Sequence, residues 1–123
     1  MAVSNHAGEC LRAFTAKVLR EASANVEEVV PVVLAVVGGV LCAAEADSIA
    51  LQTMEHEEGS VLWASFGGKR MAFRFNPMTA MIELRTDTLE GHPERRFGRR
   101  SLPMDILNFF GPDRAAVAAR TKS

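Results

Sequence analysis

The amino-acid sequence predicts an α+β fold, in which two N-terminal helices precede a four-stranded antiparallel β-meander and a short C-terminal helix. Two observations lead to this prediction. Up to residue 44 the apolar residues recur at helical spacing or form one continuous run, whereas from residue 48 to 86 they alternate with polar residues. Short turns separate the alternating segments, as is typical of an antiparallel sheet with one apolar face.

The chain has the size and composition of one globular domain. It contains 123 residues, of which 48% are hydrophobic and 24% charged. We predict a single α+β domain over residues 1–111 and a flexible or frayed tail over residues 112–123. The two cysteines, Cys10 and Cys42, lie far apart among apolar neighbours, which favours two reduced core thiols in a cytoplasmic protein over a disulfide.

The first predicted helix has one apolar face. Five residues recur there at helical spacing: Cys10, Leu11, Phe14, Val18 and Leu19. We expect Ser4 or Asn5 to cap this helix, because their side chains accept hydrogen bonds from the first turn. The helix is predicted to end near residues 23–25.

The second predicted helix contains an uncharged run of sixteen residues, Val29–Ala44. Its many valines, with the glycine pair at 38–39, also fit a buried β-hairpin, but the length of the run favours a helix. The start is either a capping box of Asn25 and Glu28 or Pro31 as the first helical residue. A membrane span needs about 20 apolar residues, and this run of sixteen is shorter. We therefore predict a core helix with no membrane contact.

Four strands are predicted, near residues 49–53, 61–66, 70–75 and 80–86. Gly67-Gly68 is typical of a tight hairpin turn between the second strand and the third. Along the third strand arginines alternate with apolar side chains, so the two kinds face opposite sides of the sheet. Residues 87–100 are predicted to be a polar connection, and a short helix follows that ends at Gly111.

The sheet region is rich in methionine and aromatic residues, which form the first candidate binding surface. Such side chains usually belong to a core, but they also line adaptable apolar binding sites. The candidate ligand-binding residues are Trp63, Met71, Phe73, Phe75 and Met81. They predict a non-catalytic binding module that takes a partner protein or a small apolar ligand and needs no cofactor.

An arginine-rich segment forms the second candidate site. It consists of Arg95, Arg96, Arg99 and Arg100. Guanidinium groups beside an aromatic ring bind phosphates and stack on bases, so the alternative function is a nucleic-acid or polyanion binder. The competing interpretation is a solvated loop that pairs with acidic residues. Residues 1–62 hold three basic and nine acidic side chains, whereas residues 63–123 hold eleven basic and six acidic ones.

No motif indicates a particular enzyme. The histidine-containing segments 56–58 and 90–94 lack the spacing of a metal site, and we expect no metal. The sequence has no glycine-flanked nucleophilic serine and no phosphate-binding loop. A small enzyme with scattered, unidentified catalytic residues stays the second alternative.

The valine-rich helix leads us to predict a homodimer. The sheet has one apolar face and can cover one side of this helix, and the first helix can cover part of another. A second copy of the chain is the simplest cover for the remainder, because symmetric dimers are the commonest oligomers.

Overall fold

The computed structural model describes residues 2–53 and 60–110, and the side chains from His6 onward. In these ranges it contains two N-terminal helices, five strands and a C-terminal helix. The helices are α1 (Ala2–Ala22), α2 (Val26–Ala43) and α3 (Pro103–Phe110), and the strands are β1 (Ala50–Thr53), β2 (Ser60–Phe66), β3 (Lys69–Asn76), β4 (Met81–Thr86) and β5 (Arg95–Phe97). The predicted α+β fold is confirmed. The predicted tail at 112–123, Gly111 and the loop at 56–59 lie outside the described residues.

The helices α1 and α2 form a helical hairpin. They follow one another with only a 3-10 turn, Ser23–Asn25, between them. Ser23 has a φ of 50°, in the left-handed region, so the helix axis changes direction there. The helix α2 is about 27 Å long, so its far end would lie well away from α1 if the two helices continued in one direction. The 3-10 turn Ala46–Ser48, which follows α2, nevertheless contacts α1. Thus α2 runs back alongside α1.

The N-terminal ends of the two helices differ from the sequence prediction. Because α1 begins at Ala2, Ser4 and Asn5 lie within the helix and not at its cap. The helix α2 begins at Val26, which places Pro31 inside it. The predicted capping box is not formed, since the side chain of Asn25 makes no hydrogen bond to the helix end.

The valine-rich run is a helix, as predicted, and not a hairpin. One side of α2 is buried at Val29, Val32, Val33, Val36 and Val40. By length and composition alone, the helical stretch His6–Ala43 contains a window apolar enough to cross a membrane, and 39% of that window is buried in the fold. The buried valines pack with α1 and the sheet in one hydrophobic core.

The two cysteines differ in burial. Both thiols are free, with Cys10 buried on the apolar face of α1 and Cys42 exposed near the end of α2. The prediction of a core thiol is confirmed for Cys10 and wrong for Cys42, because α2 turns Cys42 away from the valines that face the sheet.

The sheet is antiparallel throughout, and its order follows the chain from β1 to β5. Gly67 and Gly68 have φ values of 60° and 84°, which form the predicted tight hairpin between β2 and β3. The structure adds β5 to the four predicted strands. It pairs with β4 inside the predicted polar connection, with Phe97 opposite Ile82.

The helices cover one face of the sheet, which we call the inner face. The cross-strand row of Leu62, Phe73 and Leu84 lies on it and is fully buried. Of the three helices described, α1 contacts β1 and β2, whereas α2 contacts β4 and α3. Phe110 at the end of α3 packs against the Phe73 ring, at 5.6 Å between centroids, and so closes the core.

Candidate functional site

The first candidate site from the sequence is divided by the structure. Met71, Phe73 and Phe75 face the helices and are at most 3% exposed, so these side chains belong to the core and present no accessible surface. Trp63 lies on the outer face of the sheet, and Met81 lines a cleft at its edge. The alternation on β3 identified the two faces of the sheet, but not which of them was accessible.

An apolar surface is exposed on the helices instead, and we call it the α2–α3 face. Its large side chains, Leu34 and Leu41 on α2 with Met104 and Leu107 on α3, are between 36% and 65% exposed. The two helices adjoin at Gly38, where an added Cβ would lie 3.9 Å from Cδ2 of Leu107. The face is therefore continuous across the two helices.

Helical periodicity produces this face. Leu34, Gly38 and Leu41 are four and three residues apart, so they follow one another along one side of α2. The half-buried residues Val30 and Val37 border the same row. Because the run has no charged residue, the side of α2 that turns away from the core is as apolar as the buried side. Contiguous exposed apolar surface of this kind is typical of interaction sites.

The arginines of the second candidate site do not all point in one direction. Arg95 lies over the Phe109 ring, with 5.0 Å between its guanidinium carbon and the ring centroid. Arg96 is on the opposite side of β5, as strand alternation requires. Arg99 approaches the start of α2, where Nη1 lies 3.5 Å from Oε1 of Glu28. The segment is thus not one basic surface.

Three of these arginines nevertheless meet at a cleft of about 650 Å³, which we call the arginine cleft. Arg96, Arg99 and Arg100 line one side. Met78 and Thr79 of the β3–β4 turn and the start of α2 also line the cleft. Its remaining lining residues are Asn25, Glu28, Ala80, Met81, Gly98 and Ser101. No local pattern in the sequence indicated that these distant segments would meet.

A tight turn holds two of the arginines in place. The Ser101 N–H donates to the carbonyl oxygen of Gly98 at 2.8 Å, and the Gly98 N–H donates to Oγ of Ser101 at 3.1 Å. Arg99 and Arg100 occupy the two central positions of this turn. Gly98 packs closely on β4, since a Cβ there would lie 2.8 Å from Cγ of Met81.

A charged network crosses the outer face of the sheet. Oε1 of Glu83 accepts a hydrogen bond from Nη1 of Arg85 at 3.0 Å, and Oε2 accepts one from Nδ2 of Asn76 at 3.1 Å. Nε of Arg96 lies 3.9 Å from Oε2 of Glu83. Burial raises the pKa of the Glu83 carboxyl, but these hydrogen bonds and the positive charges outweigh burial. The pKa is therefore lowered from its ordinary value of 4.5.

Trp63 is also fixed on the outer face. Its Nε1 donates to Oε1 of Gln52 at 2.8 Å, and the guanidinium carbon of Arg70 lies 4.5 Å from its ring centroid. Nε of Arg85 donates to the carbonyl oxygen of Gly91 at 3.0 Å. The arginines of this face are engaged by neighbouring groups of the same chain.

The described residues show no group of three or more histidine, cysteine or acidic side chains that could hold a metal ion. His6 lies near a thiol, with 3.9 Å between its Nε2 and Sγ of Cys10, but this thiol is buried. Thiol catalysis requires an accessible, activated thiolate. The α2–α3 face and the arginine cleft are the candidate functional sites, because each brings together exposed side chains from separate elements.

The sequence was compared with curated proteins and with models of protein families. No curated protein matches the sequence. A family model described as "Integron cassette protein VCH_CASS1 chain" matches residues 11–107, more than three quarters of the chain, from α1 to α3. The match thus spans both candidate sites. On this match, the protein belongs to the VCH_CASS1 family of integron cassette proteins.

Proposed function

We propose that this protein is a non-catalytic interaction module that works as a homodimer, with the α2–α3 face as its interface. The observation that supports this proposal is the continuity of exposed leucine and methionine side chains across the two helices. Apolar, uncharged surface is enriched at the centre of permanent interfaces. Burying these side chains against a like surface removes them from water, which favours association.

The α2–α3 face is large enough to form the centre of a dimer interface. Helix α2 is about 27 Å long and α3 about 12 Å, so together they present about 400 Å² in projection. Accessible surface exceeds projected area, and a stable interface takes about 800 Å² from each partner.

A second copy is the occupant we favour over a lipid surface or an unrelated protein. The chain has formal charges that nearly cancel, with a net value of −1, so two copies do not repel one another strongly. Helices that lie on anionic membranes are flanked by lysine and arginine, whereas α2 has no basic residue of its own and its charged residues are acidic. Glu27 and Glu28 precede the row on α2, and Glu45 follows it.

A cytoplasmic location is part of the proposal. Cys10 and Cys42 are both free. Unpaired thiols, one of them exposed, persist in reducing compartments and are rare in oxidising ones. This supports a protein that works inside the cell.

The proposal is tested by the native mass, measured by light scattering at several protein concentrations and two salt concentrations. We expect a dimer at micromolar concentration that resists salt, because an apolar interface is not screened. Leu34→Glu and Leu41→Glu should each yield a monomer with an unchanged circular dichroism spectrum, since they place a carboxylate in the interface.

Met78→Glu is the matched control. Met78 is also an exposed large apolar residue, but it lies on the β3–β4 turn away from the α2–α3 face. The control should remain dimeric. A monomeric wild type, or a dimer that survives both leucine substitutions, contradicts the proposal. Sedimentation of the wild type with phosphatidylcholine vesicles, abolished by Leu34→Glu, would instead assign the face to lipid.

A further inference from the structure

The arginine cleft has the volume of a site for a small molecule. Its volume of about 650 Å³ lies within the range of about 300–1,000 Å³ that is usual for such sites. We propose that it binds a small organic anion, in which a phosphate or carboxylate group is attached to an apolar body. This site is separate from the proposed dimer interface.

The charges of the cleft favour an anion. Arg96, Arg99 and Arg100 line it, and among the described residues the acidic side chain in the lining is Glu28. The side chains of Arg96 and Arg99 are 54% and 65% exposed, so their guanidinium groups can reach a ligand. Guanidinium groups bind phosphate and carboxylate oxygens through paired, charge-assisted hydrogen bonds.

The ion pair between Arg99 and Glu28 does not close the site. The two groups are 3.5 Å apart and both are well exposed. Such surface pairs contribute only about 0–1 kcal/mol. An incoming anion can therefore take the place of Glu28 at Arg99, while Glu28 remains available to accept a hydrogen bond from a ligand hydroxyl.

The backbone around the arginines is ordered before a ligand arrives. Both ends of the Gly98–Ser101 turn are tied by hydrogen bonds, and the turn packs on Met81. Arg96 is anchored in β5, opposite Glu83. Less conformational freedom is lost on binding when the contact groups are already positioned, and this favours affinity.

The β3–β4 turn supplies contacts for an apolar body. Met78 is 92% exposed at the β3–β4 turn, and methionine adapts well to ligands of different shape. Asn25 adds a polar group at the start of α2, and its side chain makes no capping hydrogen bond. The lining of the cleft thus combines anion-binding groups with apolar ones.

A small ligand fits these observations better than a nucleic acid does. The cleft arginines form a compact group, whereas a nucleic-acid backbone is followed by an extended basic surface. On the sheet, Arg85 is bound to Glu83 and Gly91, and Arg70 lies on Trp63, so the basic surface does not continue freely from the cleft.

The test is a heteronuclear NMR titration with four probes: inorganic phosphate, hexyl phosphate, hexanoate and hexanol. We expect hexyl phosphate or hexanoate to shift the amides of residues 25–28, 78–81 and 96–101 and to bind at least ten-fold more tightly than inorganic phosphate. Hexanol should bind weakly or not at all. The tighter of the two anions identifies a phosphate or a carboxylate as the preferred group.

Two variants and a control sharpen the test. Arg99→Gln with Arg100→Gln should weaken binding of the organic anion ten-fold or more, whereas Arg12→Gln with Arg20→Gln, two exposed arginines of α1, should leave it unchanged. Met78→Ser should weaken hexyl phosphate but not inorganic phosphate. Circular dichroism confirms that each variant is folded.

Three results would overturn the proposal. The first is the absence of anion-dependent shifts at the cleft with millimolar probe, and the second is an equal loss of binding in the cleft variant and the α1 control. The third is a single-stranded oligonucleotide that binds more tightly than hexyl phosphate, with a steep salt dependence, which would assign these arginines to nucleic acid. None of these results depends on the native mass of the free protein, so this test is independent of the proposed dimer.

Discussion

Gly39 lies directly beneath the ring of Phe110. A Cβ added to Gly39 would be 2.5 Å from Cγ and 2.8 Å from Cβ of Phe110. The Phe110 ring cannot swing away, because it is 1% exposed and packs against Phe66, Phe73 and Phe97. This contact fixes α3 on α2 and gives Gly39 a structural role that its neighbour Gly38 does not share.

We therefore predict different effects on stability for two adjacent glycine-to-alanine substitutions. Gly39→Ala should lower the free energy of unfolding by about 1–3 kcal/mol, the usual cost of overpacking a core. Gly38→Ala meets only ordinary contact with Leu107. It should be neutral or raise stability by up to about 1 kcal/mol, because alanine favours a helix.

Urea unfolding followed by circular dichroism measures both effects. The native mass of each variant is recorded alongside, so that a change of assembly is not read as a change of fold stability. Equal destabilisation by the two substitutions would contradict the close packing assigned to Gly39.

The elements with a strong periodic pattern could be predicted from the sequence. Alternation identified β2, β3 and β4 within about one residue of their ends, and Gly67-Gly68 marked the turn between β2 and β3. The buried side of α1 followed from helical spacing alone. These patterns are local, and they reflect which side of each element faces the core.

The remaining features depend on contacts between distant segments. The strand β5 has three residues, and only Phe97 among them is apolar, so it shows no detectable alternation. The arginine cleft joins residues from α2, the β3–β4 turn and the segment after β5. The uncharged run predicted that one side of α2 stays uncovered by the rest of the chain. That α3 adds exposed apolar side chains to this face could not be predicted, because it depends on how α3 packs against α2.

Glu83 should make stability depend on pH in the acid range. Its carboxyl pKa is lowered in the folded protein, so its ionised form stabilises the fold above 4.5, the ordinary value. This contribution is lost as the pH falls from there through the lower folded-state pKa. Near pH 7, Glu83→Gln should cost about 1–3 kcal/mol, because it removes an ionic hydrogen-bond acceptor from Arg85.

The prediction is checked by urea unfolding of both proteins at several pH values from neutral to acid. The difference between wild type and Glu83→Gln should shrink as the pH falls. Glu94→Gln is the control, since Glu94 is exposed and accepts a hydrogen bond from the Thr86 hydroxyl. A difference that stays constant across the acid range would mean that the Glu83 charge does not stabilise the fold.

The contact between Arg70 and Trp63 should be measurable by fluorescence, because Trp63 is the single tryptophan of the chain. Arg70→Met keeps an unbranched side chain over the ring but removes the positive charge. We expect a loss of about 0.5–1 kcal/mol, the usual size of an exposed cation–π contact, together with a change in tryptophan emission. Lys69→Met, at the adjacent exposed position of β3, should change neither quantity.

The two cysteines should react at very different rates with an alkylating reagent. Cys42 is exposed, whereas Cys10 is buried on α1. One equivalent of N-ethylmaleimide should therefore be incorporated quickly in the native protein, and the second only when the core opens. Mass spectrometry of Cys42→Ser and Cys10→Ala identifies which thiol reacted.

The same reaction reports on assembly. Cys42 follows Leu41 on α2, beside the proposed dimer interface. If the α2–α3 faces pair, alkylation of Cys42 should slow as the protein concentration is raised, because the reagent then reaches the thiol mainly in the monomer. The Leu34→Glu variant should remove this concentration dependence while leaving Cys10 protected. A rate that is independent of concentration in the wild type, with a dimer present by light scattering, would place the interface elsewhere on the protein.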